Sequence, residues 1–197
     1  MFYVTGIITL TLGIALTIVV NLGASPIDAL LVGLHQTFGL TVGSWEYIIA
    51  GCLLLLNAII NRKMPQILAL VTALLVGLGI DFWLHVLSGL EMAATLWMSV
   101  TGLIIGTIFT GVGIATYLQA EFIPSPFDET MLTISRKFNI SLFHSKTVIM
   151  AFFMVLALLF NGPVALGTVL ILITSGPIIG WFYPKMQAFK SKTMEVV

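Results

Sequence analysis

Long apolar runs broken by short polar punctuation organise this chain. Six of them, at about 4–22, 43–61, 66–88, 94–118, 143–161 and 164–183, have the length of a membrane-spanning helix, about 20 residues. The breaks carry turn chemistry: Asn61-Arg62-Lys63-Met64-Pro65 after the second run, Ser88-Gly89 after the third, Asn161-Gly162-Pro163 after the fifth. Two stretches between runs have a different pattern. Ile27, Leu31, Leu34 and Phe38, and again Phe127, Met131, Ile134 and Phe138, stand at i, i+4, i+7 and i+11, which is one face of a helix. A helix of that length rises only about 20 Å against a hydrocarbon core of about 30 Å. Each stretch therefore predicts a short, non-spanning helix, either re-entrant or lying along the surface. Ala29 to Leu34 is uncharged and suits dipping inward, whereas Glu129, Thr133, Ser135, Arg136 and Lys137 suit an interfacial amphipathic helix.

Both short helices begin alike, with Ser25-Pro26-x-Asp28 and Ser125-Pro126-x-Asp128. Serine fits the N-cap, where its hydroxyl accepts from an orphan amide of the first turn. Proline fits the first helical position, which needs no amide hydrogen. The aspartate then falls at the third position, where it reaches back to the cap and complements the positive helix end. The motif reads first as a cap and nothing more, and second as a cap whose helix end lines a substrate route.

The offset of 100 between the two motifs extends well beyond them. Gly6 matches Gly106, Gly13-Ile14-Ala15 matches Gly113-Ile114-Ala115, and Asn61 matches Asn161. Phe38-Gly39-Leu40-Thr41 aligns with Phe138-Asn139-Ile140-Ser141, and from residue 6 to 61 no gap is needed. After Asn61 the register slips by one, so that residues 76–83 face 175–182. The chain is thus expected to be one membrane domain over 1–197, with repeat one at about 4–88, repeat two at about 94–183, and a cytoplasmic tail at 184–197. Such internal repetition decides the architecture. Each copy holds three spans, so the second enters the membrane in the opposite sense to the first, an inverted repeat of the kind common in secondary transporters.

Composition agrees. The chain is 59% hydrophobic and 8% charged, where soluble domains are about 25% charged. Aspartate, glutamate, lysine and arginine are absent from 1–27, 92–120 and 147–184. These continuous runs predict helices, since a barrel would alternate. The first run lacks a basic flank and a good cleavage context, so it is expected to persist as a helix. With six spans, Arg62, Lys63, Arg136, Lys137, Lys146, Lys185, Lys190 and Lys192 all fall on one side, which marks that side, and both termini, as cytoplasmic. Zero net charge leaves no basic field for nucleic acid. Cys52 lies alone in an apolar run and reads as a small hydrophobe.

Ionisable residues within such a membrane chain are functional candidates by default, because they are costly there. Asp81 and His85 share one face of the third span, and Asp28 and His35 share a face on the same side of the membrane. These four together are a candidate cation site or proton relay, with spacing too loose to name a metal. Trp45 and Glu46 read as an interfacial anchor, and Lys146 and Lys185 as lysines snorkelling to the cytoplasmic interface. Gly102, Gly106, Gly111 and Gly113 give the fourth span a smooth packing face, and Gly6 and Gly13 favour the first span as its partner. Nucleophile elbow, HExxH, CxxC and phosphate-binding glycine loop are absent, so no enzyme activity, cofactor or metal is expected. Inverted topology is also expected to place Asp28 and Asp128 on opposite faces, too far apart for shared catalysis.

The stretches "LGASPIDALLVGL", "GLTVGS", "LLVGLGID", "SPFDETMLTISRKFNIS" and "GPVALGTVLILITSGPIIGWF" resemble the YczE/YyaS/YitT group of bacterial inner-membrane proteins over nearly the whole chain. The most specific pieces are the paired P-x-D elements and Gly167-Thr168 with Gly176-Pro177. Ile27 stands where that group often has tryptophan, and 66–71 lacks the Gly-Thr pair that often opens its third span. The resemblance implies a fold, an inner-membrane location and a permease role without a named substrate.

The expected protein is therefore an all-α integral membrane protein with six transmembrane helices as two inverted three-helix repeats, each with a short helix after its first span. The expected function is small-molecule transport by alternating access between the repeats. The residues expected along a substrate or ion route are Ser25, Asp28, His35, Asp81, His85, Ser125, Asp128 and the Gly176-Pro177 turn. A non-transporting membrane partner, or a substrate-binding subunit of a larger complex, is the alternative, and a passive channel is a weaker third. Expected contacts are the lipid bilayer, a small molecule, and a second copy or another membrane protein.

Overall fold

A computed structural model describes residues 2–89, 94–120, 125–140 and 142–195. The described residues are helical, with no strand among them. The helices are α1 Phe2–Val19, α2 Pro26–Phe38, α3 Val42–Asn61, α4 Ala69–Leu87, α5 Leu96–Tyr117 with a 3-10 turn at Leu118–Ala120, α6 Pro126–Phe138, α7 Leu142–Leu159 and α8 Leu166–Glu195. One long, one short and two long helices thus occur twice in chain order. Among the described residues, five helical segments are long and apolar enough to cross a membrane: α1, α3, α4, Leu96–Ala120 and Leu166–Ser191. The apolar stretch of α7 described to that standard, His144–Leu159, is shorter.

Helix ends fall where local chemistry puts them. Asn21, Arg62, Asn139 and Asn161 take left-handed backbone angles just past the ends of α1, α3, α6 and α7, a conformation that terminates helices. Thr41 and Thr95 cap α3 and α5, each hydroxyl accepting from the amide three residues on. Pro65 delays the start of α4 to Ala69, three residues later than the apolar run begins. The largest departure is α8. It runs through Pro177 and Pro184 to Glu195, so residues 184–195 of the expected tail continue the last helix. Val196 and Val197 lie outside the described residues. A proline removes one backbone bond without ending a helix whose other bonds persist. Gly176-Pro177 is therefore a position inside a helix, and the expected turn is absent.

The matched glycines explain the centre. A methyl on Gly6 would meet the Tyr117 backbone, one on Gly13 the Thr110 backbone, and one on Gly113 the Leu10 backbone. Removing side chains there lets α1 and α5 lie against each other, which is the pairing expected from their repeated glycines. Around this pair α4 packs on α1, and α8 packs on α5. The short helices cross over: α2 packs mainly on α7, and α6 mainly on α3. Pro26 and Asp28 to Leu34 are buried, so α2 dips into the protein rather than lying on its surface. Leu31 and Val32 join a cluster with Ile7, Leu10, Ile14, Val76 and Ile80, while Ala29, Leu30 and Leu34 join another with Leu53, Ile149 and Phe153. In α6 only Pro126 and Thr133 are buried, in keeping with its amphipathic sequence.

Candidate functional site

The two serine-proline motifs build the same cap. Ser25 Oγ accepts from the Asp28 amide at 3.3 Å and donates to Asp28 Oδ2 at 2.5 Å. Ser125 Oγ accepts from the Asp128 amide at 3.3 Å and donates to Asp128 Oδ2 at 2.9 Å. Proline occupies the opening of both helices, as the motif requires. Each aspartate bonds its serine hydroxyl and stands at the positive end of its own helix. Asp28 is 8% exposed; Asp128 is half-buried and also accepts from the Tyr117 hydroxyl at 2.5 Å.

Both short helices pack on α3, α6 more extensively than α2. Glu46, in the second turn of that helix, is 8% exposed, and the carboxylates acting on it through charge are Asp28 and Asp128. Among the described residues no hydrogen bond reaches the Glu46 carboxylate. The interfacial-anchor reading of Glu46 is therefore corrected. Its indole neighbour behaves differently: Trp45 Nε1 donates to the Gly39 carbonyl at 2.8 Å at an exposed position.

Lys146 completes the group. It is half-buried in α7, its Nζ donates to Ser175 Oγ of α8 at 3.4 Å, and Asp128 is the charge acting on it. It does not simply extend to the interface as expected. Lys146 stands 100 residues after Glu46, so one position of the repeat supplies a carboxylate in one copy and an ammonium in the other. Tyr117 similarly answers Thr17, whose hydroxyl bonds back to the Ile14 carbonyl at 2.8 Å. The equal spacing of Glu46 and Lys146 was the signal that sequence reasoning missed.

Other expected site residues lie elsewhere. Asp81 Oδ1 accepts from the Gly43 amide at 2.8 Å and so ties α4 to the first turn of α3. His35 is exposed, its Nδ1 paired with the Leu40 carbonyl. His85 is exposed near the end of α4. Among the described residues no three of His, Cys, Asp and Glu come together to hold a metal ion. As a metal site, the expected grouping of Asp28, His35, Asp81 and His85 is thus not formed among the described residues. Gly176 and Pro177 are exposed on α8, with open space beside Gly176.

A second feature the sequence did not announce is Asn57, buried at 1% exposure in α3. Its Nδ2 donates to the Pro126 carbonyl at 3.1 Å and to Thr130 Oγ1 at 3.0 Å, and Asn61 Nδ2 donates to Thr133 Oγ1 at 2.8 Å. These bonds hold α6 along α3 and so fix where Asp128 points. Two asparagines four apart at the end of an apolar span were the available sign.

Residues 1–184 match the family described as "Family of unknown function (DUF6198)". The "Uncharacterized protein YyaS" of Bacillus subtilis (strain 168) is 44% identical over 187 residues, covering 95% of this chain and 93% of the relative. The "Uncharacterized membrane protein YczE" of the same organism is 33% identical over 187 residues, covering 93% and 85%. No solved structure matches the chain. With its long apolar helices and these relatives, this is a membrane protein, and it belongs to the DUF6198 family, the group of YyaS and YczE.

Proposed function

We propose that the protein is a small-molecule transporter of the bacterial cytoplasmic membrane. In this reading α1, α3, α4, α5, α7 and α8 all span, in two inverted repeats, with both termini cytoplasmic. Substrate passes by alternating access as the repeats rock about the α1–α5 pair. The observation that carries the reading is the pair of matching capped helix starts, each on a short helix that packs against a long helix of the other half, because transporters built of inverted repeats place their site where discontinuous helix ends meet between the halves. A difference between the seams supports it further. Gly43 and Gly77 lie backbone to backbone and close α3 against α4. Among the described residues α7 and α8 form no comparable packed seam, and Lys146 reaches Ser175 between them. One seam shut and its counterpart parted is what alternating access requires of a resting state.

The test is exchange by purified protein in proteoliposomes offered a mixed metabolite extract, with the lumen read by mass spectrometry. Enrichment of a compound by the native protein and its loss in Asp128→Asn are expected. Identical lumen contents in protein-free vesicles would remove the transport reading and leave a non-transporting membrane partner.

A further inference from the structure

Asn57 Oδ1 is the one buried side-chain polar atom without a hydrogen-bond partner among the described residues. Chemistry fixes which end of the carboxamide is which. The Pro126 carbonyl can only accept, so the nitrogen must face it, at 3.1 Å. With Nδ2 turned to Pro126 and Thr130, the end of Asn57 left over is an acceptor. An unmet buried acceptor is costly, and in a native fold it marks a place where something donates.

A cavity of about 50 Å³ adjoins it, lined by Asn57 with Asn61, Lys63, Gln66 and Glu129, where the end of α3, the link to α4 and the first turn of α6 meet. One water needs about 10–15 Å³, so the space takes a solute of about three to five heavy atoms. Asn61 spends its nitrogen on Thr133, as Asn57 does on Thr130. Glu129 and Lys63 border the same space with opposite charges, yet among the described residues neither charged end has an ion-pair or hydrogen-bond partner. A bare cation there is repelled by Lys63, and a bare anion by Glu129 and the Asn57 oxygen. A zwitterion of that size meets all three groups.

We propose that this cavity binds the smallest free α-amino acid, glycine, as its zwitterion. The ammonium donates to Asn57 Oδ1 and the Glu129 carboxylate, and the carboxylate accepts from Lys63 Nζ and the Gln66 amide. Charge-assisted bonds at both ends are about twice as strong as neutral ones. The bound amino acid joins α3, the α3–α4 link and α6, and so adds to the hold that Asn57 and Asn61 already have on α6. This goes beyond the transport reading and does not rest on it, since a ligand can fix α6 in a protein that moves nothing.

Binding of radiolabelled glycine to the full-length protein in nanodiscs at low salt tests this, with methylammonium, acetate and glycolate as competitors. None of the three is larger than glycine; the first lacks the carboxylate and the other two lack the ammonium. Glycine is expected to bind saturably, and each competitor at least about tenfold more weakly. Glu129→Gln is expected to weaken glycine binding about tenfold, and Lys63→Met, at an exposed position, about threefold. Glycine is also expected to slow hydrogen exchange within 126–138 and leave 26–38 unchanged. No saturable binding assigns the cavity to ordered water only and overturns the proposal. So does competition by methylammonium or glycolate equal to that by glycine, or slowing at 26–38 instead of 126–138. Unchanged affinity in either variant of native size and melting behaviour overturns it too, and should Glu129→Gln not fold, Lys63→Met decides alone.

Discussion

Asp81 Oδ1 and the Gly43 amide are joined at 2.8 Å across the α3–α4 seam, at the point where Gly43 and Gly77 bring the two backbones together. Asp81 therefore caps a helix other than its own. Asp81→Ala should destabilise the protein by about 1–2 kcal/mol, in the range of charge-assisted and interhelical bonds, while Asp81→Asn retains an acceptor and most of that. Gly43→Ala should be worse, because the added methyl meets Gly77 backbone that cannot move aside. Thermal unfolding in mild detergent ranks the three variants.

Tyr117→Phe removes a donor to Asp128 without changing shape. Interhelical bonds in membrane proteins average about 0.6 kcal/mol and reach about 1.7, so a loss within that range is expected. Coupling is the sharper readout. A double-mutant cycle with Asp128→Asn should be non-additive, whereas additive losses would mean the two side chains do not act together.

Ser25→Ala and Ser125→Ala should each cost about 1 kcal/mol, the usual value of an N-cap, and Ser→Asp should preserve most of it less the repulsion from Asp28 or Asp128. A much larger loss at one serine than at the other would show that its helix start is held by more than the cap. Chemical denaturation of the paired variants decides this.

Asn57→Leu should release α6 from α3, since it removes the donor to Pro126 and Thr130 while keeping bulk. The expected result is faster proteolysis or hydrogen exchange within 126–138, with 26–38 unaffected. Equal protection of both short helices would refute that assignment.

Single cysteines at positions 40 and 139, both exposed, test the inverted arrangement in a Cys52→Ser background that removes the exposed native thiol. In intact cells an impermeant maleimide should label position 40 and spare position 139 until the membrane is opened. Labelling of both from one side would contradict opposite insertion of the repeats.

Much of the fold was legible because membrane chains write it in plain patterns. The long described helices other than α8 lie within a few residues of the apolar runs, and Ser-Pro-x-Asp marked both short helices, capping bonds included. The glycine match also foretold the α1–α5 contact, since only small residues permit it. The candidate site was less legible. Glu46 looked like an anchor because it follows a tryptophan at a helix start, and Asp81 looked functional because it sits in an apolar helix. Their roles differ through their surroundings: Asp81 meets a free amide at a helix start, and Glu46 is buried with no hydrogen bond to its carboxylate among the described residues. Gly176-Pro177 misled for a local reason, as a glycine-proline pair reads as a turn unless neighbouring helical bonds carry the chain past it.

The sequence by itself determined the helical membrane class, the positions of the helices, the repeat and the two caps. These follow from hydrophobic run length, backbone capping and an offset of 100, which are local or one-dimensional properties. Only the tertiary structure decided that α2 leans on α7 and α6 on α3, that Asn57 holds α6 in place, and that Glu46 is buried. Such crossings depend on which side chains interlock between segments far apart in the chain. Pairing across that distance is a property of packing, which periodicity along one segment does not encode.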